Sequence, residues 1–474
     1  MPCRNNRERN MKELIVGLVR TDDPLGLCIG VYERFCAAME KAPGITFVKS
    51  SVDINGAQDA ESAAAAFDRQ GVDLTILMCC SLVGDGRVVQ PFMRSRQEVL
   101  IWCVPEPVRE GPLLLNSMTC ANLYTSSAKQ MERELNGKRV KWLYGLPEDP
   151  LMVQRLSASI CALRAKKSLW GSTVVQVGKT ADGFINLGYY ADEIERNLGV
   201  QVIFYSLEEI FRDMDAIPGE EASRLAETIT KGACCCSATE QELLMSARLI
   251  LAVRRLKERY QASAFAISCW PEFQDNMHIS TCLAFSRLGE EGIPVSCEGD
   301  VPGALTMLLA RELSGSNPML MDMVAMDEKA DAISFWHCGM GLPCYADEKG
   351  FSITQYPADP RIFKLPGASV DIKFAPRDVT ILRLDGKGGQ ILACEAQIID
   401  GPDRGYDGAR GWYSGFTMDG KRLSCVEFLN MVLTCGAPHH YVICPGHVDA
   451  AAREFAVRQG LNFIQPNGYT DGLR

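Results

Sequence analysis

Residues 293–305 read IPVSCEGDVPGAL, and this stretch predicts how the chain folds. Ile293–Cys297 has the apolar character of a buried strand. Asp300 and Pro302 are typical of the N-cap and first turn of a helix that follows. A strand leading directly into a helix belongs to a βαβ unit, which builds a parallel sheet. Glu298 then lies at the carboxyl end of the strand, where open α/β sheets bind ligands. The alternative for Glu298 is an exposed loop acid.

The same alternation of strand and helix patterns begins near Leu14 and restarts at Thr173–Val177. It fades near residue 335, and residues 342–435 are short β-rich pieces separated by Gly and Asp turns. We therefore predict an α/β protein with two Rossmann-like domains that carry parallel sheets, followed by an antiparallel, barrel-like β-rich domain. The predicted boundaries are 1–165, 166–340 and 341–474.

Composition excludes several classes of partner. The 474 residues carry 49 basic and 59 acidic side chains, a net charge of −10, without a long basic run. This balance argues against nucleic acid or an anionic membrane as a partner. No apolar run approaches the roughly 20 residues of a membrane span, and residues 1–20 do not resemble a targeting segment.

Cysteine usage predicts the compartment. The twenty cysteines include an adjacent pair, Cys79 and Cys80, and a triplet, Cys234–Cys236, and no C-x-x-C pair occurs. Many lie in apolar runs, as small buried hydrophobic residues do. We expect free thiols in a reducing compartment, and therefore a cytoplasmic protein.

A second carboxylate interrupts a buried strand pattern. Asp322 is the only charge in the apolar run Met319–Met326. Burying a bare carboxylate costs several kcal/mol, so this group is expected to be paired, protonated or bound to a metal. A salt bridge to a distant arginine is the alternative. We favour a ligand role, because we expect the strand to end at the edge of the parallel sheet.

Five histidines all lie in the second half of the chain. His337 ends an apolar strand, where a histidine is more often structural than a ligand. His439 and His440 are adjacent, and neighbours on a strand point to opposite faces, so at most one of them is expected to face a shared site. Two carboxylates and an imidazole from three segments form a mixed O/N ligand set that suits Mn²⁺ or Mg²⁺.

These segments together resemble the L-fucose isomerase / L-arabinose isomerase superfamily. The similar stretches are CEGDVPGALT around Glu298, the Asp322 strand, FWHCG at His337 and the closing PHHYVICPGHVDAAAREFAVRQGL. The closing segment matches the family pattern of a metal-binding histidine, here His440, seven residues before a second histidine, here His447.

The resemblance implies a divalent cation, Mn²⁺ or another such as Mg²⁺, held by Glu298, Asp322 and His440. It implies isomerisation of a hexose or deoxy-hexose aldose to the ketose through an ene-diolate, with Glu298 and Asp322 as the catalytic pair. It also implies a homo-oligomer with active sites at subunit interfaces. We assign substrate binding to His337, His439 and Trp412, although Trp412 suits ordinary packing equally well.

Two alternatives stay open. One is an isomerase of a hexose altered at C6, for instance a sulfonated one, for which Arg404 and Arg410 are candidate anion ligands. A solvated loop would equally explain both arginines. The other is a non-catalytic sugar-binding protein on the same fold. The presence of all three proposed metal ligands favours the enzyme. The chain contains neither G-x-G-x-x-G nor G-x-x-x-x-G-K-[ST], so hydride and phosphoryl transfer have no support.

Overall fold

The computed structural model describes residues 13–107, 110–132, 138–355, 367–401 and 406–466. The chain forms two compact units, one ending at Lys167 and the other starting at Ser168. None of the described helices is both long and apolar enough to cross a membrane.

The first unit contains a parallel sheet in the order β2-β1-β3-β4-β5. Its strands are β1 (Leu14–Arg20), β2 (Ile45–Lys49), β3 (Leu74–Cys79), β4 (Glu98–Cys103) and β5 (Val140–Tyr144). Its described helices are α1 (Ile29–Met39), α2 (Ala57–Arg69), α3 (Gln90–Arg94), α4 (Ser117–Met131) and α5 (Pro150–Leu169), of which α5 runs past Lys167. Alternate residues of the strands enter two different apolar clusters, so helices cover both faces of the sheet.

The second unit begins with another parallel sheet, in the order β7-β6-β8-β9. Its strands are β6 (Thr173–Val177), β7 (Gln201–Tyr205), β8 (Ala264–Ile267) and β9 (Val295–Ser296). Its described helices are α6 (Ala191–Leu198), α7 (Leu207–Asp215), α8 (Gly219–Ile229), α9 (Glu240–Tyr260), α10 (Glu272–Met277), α11 (Cys282–Glu290) and α12 (Val301–Ser314). Because β6, β8 and β9 are parallel, their carboxyl ends meet at one edge.

The remaining strands are β10 (Met319–Asp327), β11 (Ala332–His337), β12 (Ala346–Gln355), β13 (Ala368–Phe374), β14 (Arg377–Leu384), β15 (Gln390–Ile399), β16 (Ala409–Met418), β17 (Lys421–Arg422), β18 (His440–Pro445) and β19 (Asn462–Phe463). The helices of this region are α13 (Cys425–Thr434) and α14 (Asp449–Gln459). Six strands close into a ring, β16-β11-β10-β18-β14-β15 and back to β16, and every neighbouring pair is antiparallel. Closure leaves these six strands without open edges.

The predicted fold class, α/β with a barrel-like β-rich region, is confirmed. One detail was wrong. We expected the Asp322 strand in the parallel sheet, but β10 pairs antiparallel with β11 and β18 in the barrel. A short apolar run does not specify the direction of its neighbours, so its pattern alone could not reveal this pairing.

Most cysteines are free thiols, as expected. Eighteen are free within the described part of the chain, whereas Cys344 is disulfide-bonded. Eleven of the eighteen are buried, but the triplet Cys234–Cys236 is exposed and does not follow the pattern of small buried residues.

Candidate active site

The turn after β9 positions Glu298 by an unusual backbone conformation. Glu298 has a φ of +59° and Gly299 has a φ of +66°, both in the left-handed region. A β-carbon on Gly299 would lie 2.5 Å from the carbonyl oxygen of Lys179, so only glycine fits there. The Glu298 carbonyl accepts a hydrogen bond from Ala181 N–H at 3.1 Å. Loops after β6 and β9 therefore hold the glutamate in a conformation that non-glycine residues seldom adopt.

Two of the proposed metal ligands, Glu298 and Asp322, each approach the third, His440. Asp322 on β10 pairs directly with His440 on β18. His440 Nε2 lies 3.7 Å from Asp322 Oδ1 and 3.5 Å from Glu298 Oε2. The parallel sheet therefore contributes one acid, and two antiparallel barrel strands contribute the other acid and the imidazole.

A buried ion pair behind His440 sets the direction of its imidazole. His440 Nδ1 lies 2.9 Å from Asp300 Oδ2, and Arg383 donates to both Asp300 oxygens at 2.7 and 3.0 Å. Burial opposes ionisation of Asp300, but Arg383 and His440 hold its pKa below the usual value. The carboxylate therefore accepts from Nδ1–H, so a neutral His440 directs the lone pair of Nε2 towards Glu298 and Asp322. Asp300 also caps α12 by accepting from Gly303 N–H at 2.9 Å.

Glu298 is surrounded by donors from the parallel sheet and from His439. Trp270 Nε1 donates to Glu298 Oε1 at 3.3 Å, and His439 Nε2 lies 3.2 Å from Glu298 Oε2. Asn186 Nδ2 lies 2.9 Å from His439 Nδ1, and an amide NH₂ can only donate there, so the proton of a neutral His439 is on Nε2. Burial opposes ionisation of Glu298, but the His439 hydrogen bond and nearby histidines lower its pKa. Glu298 is therefore ionised at neutral pH.

The expectation that at most one of the adjacent histidines faces the site was wrong. His439 and His440 both approach Glu298 Oε2, at 3.2 and 3.5 Å. Strand alternation does not apply to the pair because β18 begins at His440, and His439 belongs to the preceding loop. Its ring packs 5.3 Å from that of Phe184, which lies 5.9 Å from Trp270. These aromatic rings border the carboxylate.

His337 also reaches the cluster, as a donor. Cys338 N–H donates to His337 Nδ1 at 2.9 Å, so a neutral His337 carries its proton on Nε2. That nitrogen lies 3.1 Å from Cys297 Sγ. Burial raises the pKa of the Cys297 thiol well above its usual value. Cys297, His337 and His440 have closely spaced ligand atoms, but a protonated thiol and a protonated Nε2 make a poor metal site.

The set of Glu298, Asp322 and His440 fits a hard divalent cation better. Asp322 Oδ1 is buried and has no hydrogen-bond partner in the described part of the chain. A buried acceptor of this kind beside another carboxylate and an imidazole lone pair needs a positive partner. Ligands about 2.2 Å from a shared ion lie roughly 3.1–3.6 Å apart at angles of 90–110°. The distances of 3.5 and 3.7 Å from His440 Nε2 to the two carboxylates approach this spacing, but Asp322 does not belong to the group of Glu298, His439 and His440, whose ligand atoms all lie within 4.8 Å of one another.

Trp412 and Arg410 lie on β16, outside the cluster of Glu298, Asp322 and His440. Trp412 on β16 pairs with Ser334 and is only 8% exposed, with its side chain against Gly401, so packing accounts for its position. Arg410 forms an ion pair with Asp371 at 2.5 Å. Arg404 lies outside the described residues.

Sequence reasoning missed several neighbours of the cluster, among them Asp300 as a partner of His440, Arg383, Trp270 and Asn186. Asp300 was recognised only as a helix cap. The others lie in segments that carry no motif.

His447 belongs to a separate surface group. His447 Nε2 lies 3.5 Å from Asp378 Oδ2, and Nδ1 lies 3.4 Å from Glu395 Oε2. Burial raises the pKa of Glu395 to about 8, and so does a hydrogen bond that the protonated Glu395 donates to Asp449. Between about pH 4.5 and pH 8, Glu395 is therefore protonated in the folded state but ionised in the unfolded chain.

Glu395→Gln is expected to change how stability depends on pH. A raised carboxyl pKa stabilises the fold fully below the ordinary pKa, and this contribution is lost as pH rises through about 8. Chemical unfolding should therefore give the variant a higher free energy of unfolding than the wild type at pH 8.5. At pH 5 this difference should be smaller or absent. An equal difference at both values would contradict the assignment.

Comparisons with known proteins identify the class of reaction. A sulfoquinovose isomerase from Alkalicoccus urumqiensis is 27% identical over 78% of this chain and 81% of its own length. A sulfoquinovose isomerase from Priestia megaterium is 26% identical over 69% of this chain and 72% of its own length. One from a Clostridium species is 29% identical over 51% of this chain and 53% of its own length. No protein-family model matches.

Among solved structures, a carbohydrate transporter from Acidothermus cellulolyticus in complex with myo-inositol has 11% identity and a TM-score of 0.19. The similarity covers 64% of this chain and 89% of the transporter chain. The named relatives confirm the prediction that this chain is an isomerase enzyme.

Proposed function

We propose that this enzyme is a metal-dependent aldose–ketose isomerase of a sulfonated hexose such as sulfoquinovose, with the architecture of the L-fucose isomerase / L-arabinose isomerase superfamily. The convergence of Glu298, Asp322 and His440 is the observation that carries the proposal. The relatives named sulfoquinovose isomerase support the substrate class.

The reaction needs a base that removes a proton from one carbon of the sugar and returns it to the next. Glu298 suits this role because it is ionised, and Trp270 and His439 fix both of its oxygens. Asp322 provides a second carboxylate, 3.7 Å from His440 Nε2. His337 Nε2–H lies 3.1 Å from Cys297 Sγ and would donate to a sugar oxygen only in place of that contact. A divalent cation bound by Glu298, Asp322 and His440 would supply positive charge where negative charge develops on the substrate oxygens.

A deoxy-hexose such as L-fucose is the second candidate substrate, and it rests on the sequence resemblance alone. The non-catalytic sugar-binding alternative is not favoured, because the relatives over most of the chain are named as isomerases. The expected homo-oligomer and cytoplasmic location are parts of the proposal. Sedimentation at several protein concentrations and fractionation of cells test them.

Removal of divalent cations is expected to abolish isomerisation of sulfoquinovose. Protein dialysed against EDTA should lose activity and regain it with Mn²⁺, and metal analysis of the active protein should find about one ion per subunit. His440→Gln should lower this metal content, because it removes an imidazole ligand. The same assay is run with L-fucose and with quinovose, which is sulfoquinovose without its sulfonate, to identify the substrate. Full activity in protein shown to be metal-free would refute metal dependence, and turnover of L-fucose alone would refute the sulfonated substrate.

A further inference from the structure

Directly paired residues form a row across five strands of the barrel sheet. His440 lies opposite Asp322, Asp322 opposite Trp336, Trp336 opposite Arg410, and Arg410 opposite Lys373. Residues that are directly opposite on neighbouring strands have their side chains on the same face of the sheet. The face that presents Asp322 and His440 to the candidate active site therefore continues through Trp336 to two basic residues.

Trp336 occupies the position between the carboxylate and the first arginine. Its side chain is half-buried, and its Nε1 donates to the carbonyl oxygen of Asp407 at 2.6 Å. The ring is nearly parallel to that of His337, with an interplanar angle of 9°. A fixed, partly exposed indole beside an active site is the kind of surface against which the apolar face of a sugar packs.

Arg410 is held at the far side of this indole. Its Nη1 donates to Asp371 Oδ1 at 2.5 Å and to the carbonyl oxygen of Gly408 at 2.8 Å, and the side chain is 24% exposed. Asp371 is itself fixed by Gly408 N–H at 2.9 Å. A guanidinium offers five N–H donors in a planar fork. Both of these contacts within the described residues use Nη1, which leaves other donors of the fork for an oxyanion.

We propose that Arg410 binds the sulfonate of the substrate and that Trp336 lies against its carbon chain, an inference that rests on the proposed function. Neighbouring strands are about 4.8 Å apart, so the Arg410 backbone lies about 10 Å from that of Asp322. A hexose whose first two carbons are at Asp322 extends past Trp336 and carries its C6 substituent towards Arg410. Arg410 thereby selects a sulfonated sugar over a neutral one.

Arg410→Gln tests this assignment through selectivity. We expect the KM for sulfoquinovose to rise about 10²-fold, because a charge-assisted contact to the sulfonate is lost. The inhibition constant of quinovose, measured against the sulfoquinovose reaction, should change less than about threefold, because quinovose has no group for Arg410 to bind. Arg410→Lys keeps the charge but not the planar fork, so an intermediate rise of about tenfold is expected.

Lys373→Gln is the matched control, because Lys373 shares this face one strand further away and pairs with Asp400 at 2.6 Å. Its effect on the KM for sulfoquinovose should be under about threefold. Thermal unfolding separates a folding defect from a binding defect in each variant. Equal losses for both sugars in Arg410→Gln, or an equal loss in Lys373→Gln, would overturn the assignment. A wild-type enzyme that isomerises another aldose but not sulfoquinovose would overturn both the proposed function and this inference. A wild-type enzyme that isomerises sulfoquinovose, with an unchanged KM in Arg410→Gln, would overturn this inference alone.

Discussion

Asp322→Asn and Glu298→Gln are each expected to lower kcat/KM by about 10²–10⁴-fold, and excess Mn²⁺ is not expected to restore the activity. A positioned general base contributes an acceleration of this size, and neither amide can accept the proton. Both carboxylates lie within 3.7 Å of His440 Nε2, so a sugar bound at this cluster would have two acids within reach.

Kinetics at increasing Mn²⁺ concentration separates two roles for each carboxylate. If an acid only holds the cation, saturating Mn²⁺ recovers the rate, whereas a lost base leaves kcat low at saturation. Incorporation of solvent deuterium into the product provides a second measure, because transfer by a carboxylate allows exchange with solvent. Isomerisation that retains all substrate hydrogen would favour a hydride shift and leave both acids as ligands.

Glu220→Gln is the control for this pair of variants, because its carboxylate is 83% exposed on α8 and carries no proposed function. Its kinetics should match the wild type. Wild-type activity in either Asp322→Asn or Glu298→Gln would remove that residue from the proposed mechanism.

Arg383→Met is expected to lower the free energy of unfolding by about 3–5 kcal/mol. Asp300 is fully buried, and Arg383 is the cation that donates to both of its oxygens. Removal of one partner leaves an uncompensated buried charge, which costs more than the pair itself contributes. Urea unfolding monitored by circular dichroism measures the loss.

The double variant Arg383→Met, Asp300→Asn should recover part of this stability, because the buried charge is removed with its partner. Its activity should stay low, since His440 then lacks the carboxylate that directs its imidazole. Arg453→Met is the control, because its ion pair with Asp419 is exposed and should contribute at most about 1 kcal/mol. A loss below about 1 kcal/mol in Arg383→Met would contradict the importance of the buried pair.

Local patterns in the sequence determined the elements of the fold. The first strand begins at Leu14, as predicted, and the strand Thr173–Val177 has the predicted bounds. Apolar periodicity and capping residues lie within the element that they specify, so a single sequence contains this information. The placement of Glu298 between a strand and a helix followed from the same local signals.

Only the tertiary structure decided which elements meet. The apolar run around Asp322 predicted a strand, but its antiparallel partners β11 and β18 depend on closure of the barrel. His439 faces the site because the strand starts one residue later, a boundary that the alternation pattern did not locate.

The supporting residues of the site were hidden for the same reason. Arg383 lies 83 positions from Asp300 in the chain, and Trp270 lies 28 positions from Glu298. Residues so far apart in the chain form no sequence motif with a fixed spacing. The interaction energy of the pair depends on burial, which exists only in the folded chain. The sequence by itself therefore determined the strands, helices and candidate ligands, whereas the tertiary structure decided the direction of β10, the orientation of His440 and the contacts that keep Glu298 ionised.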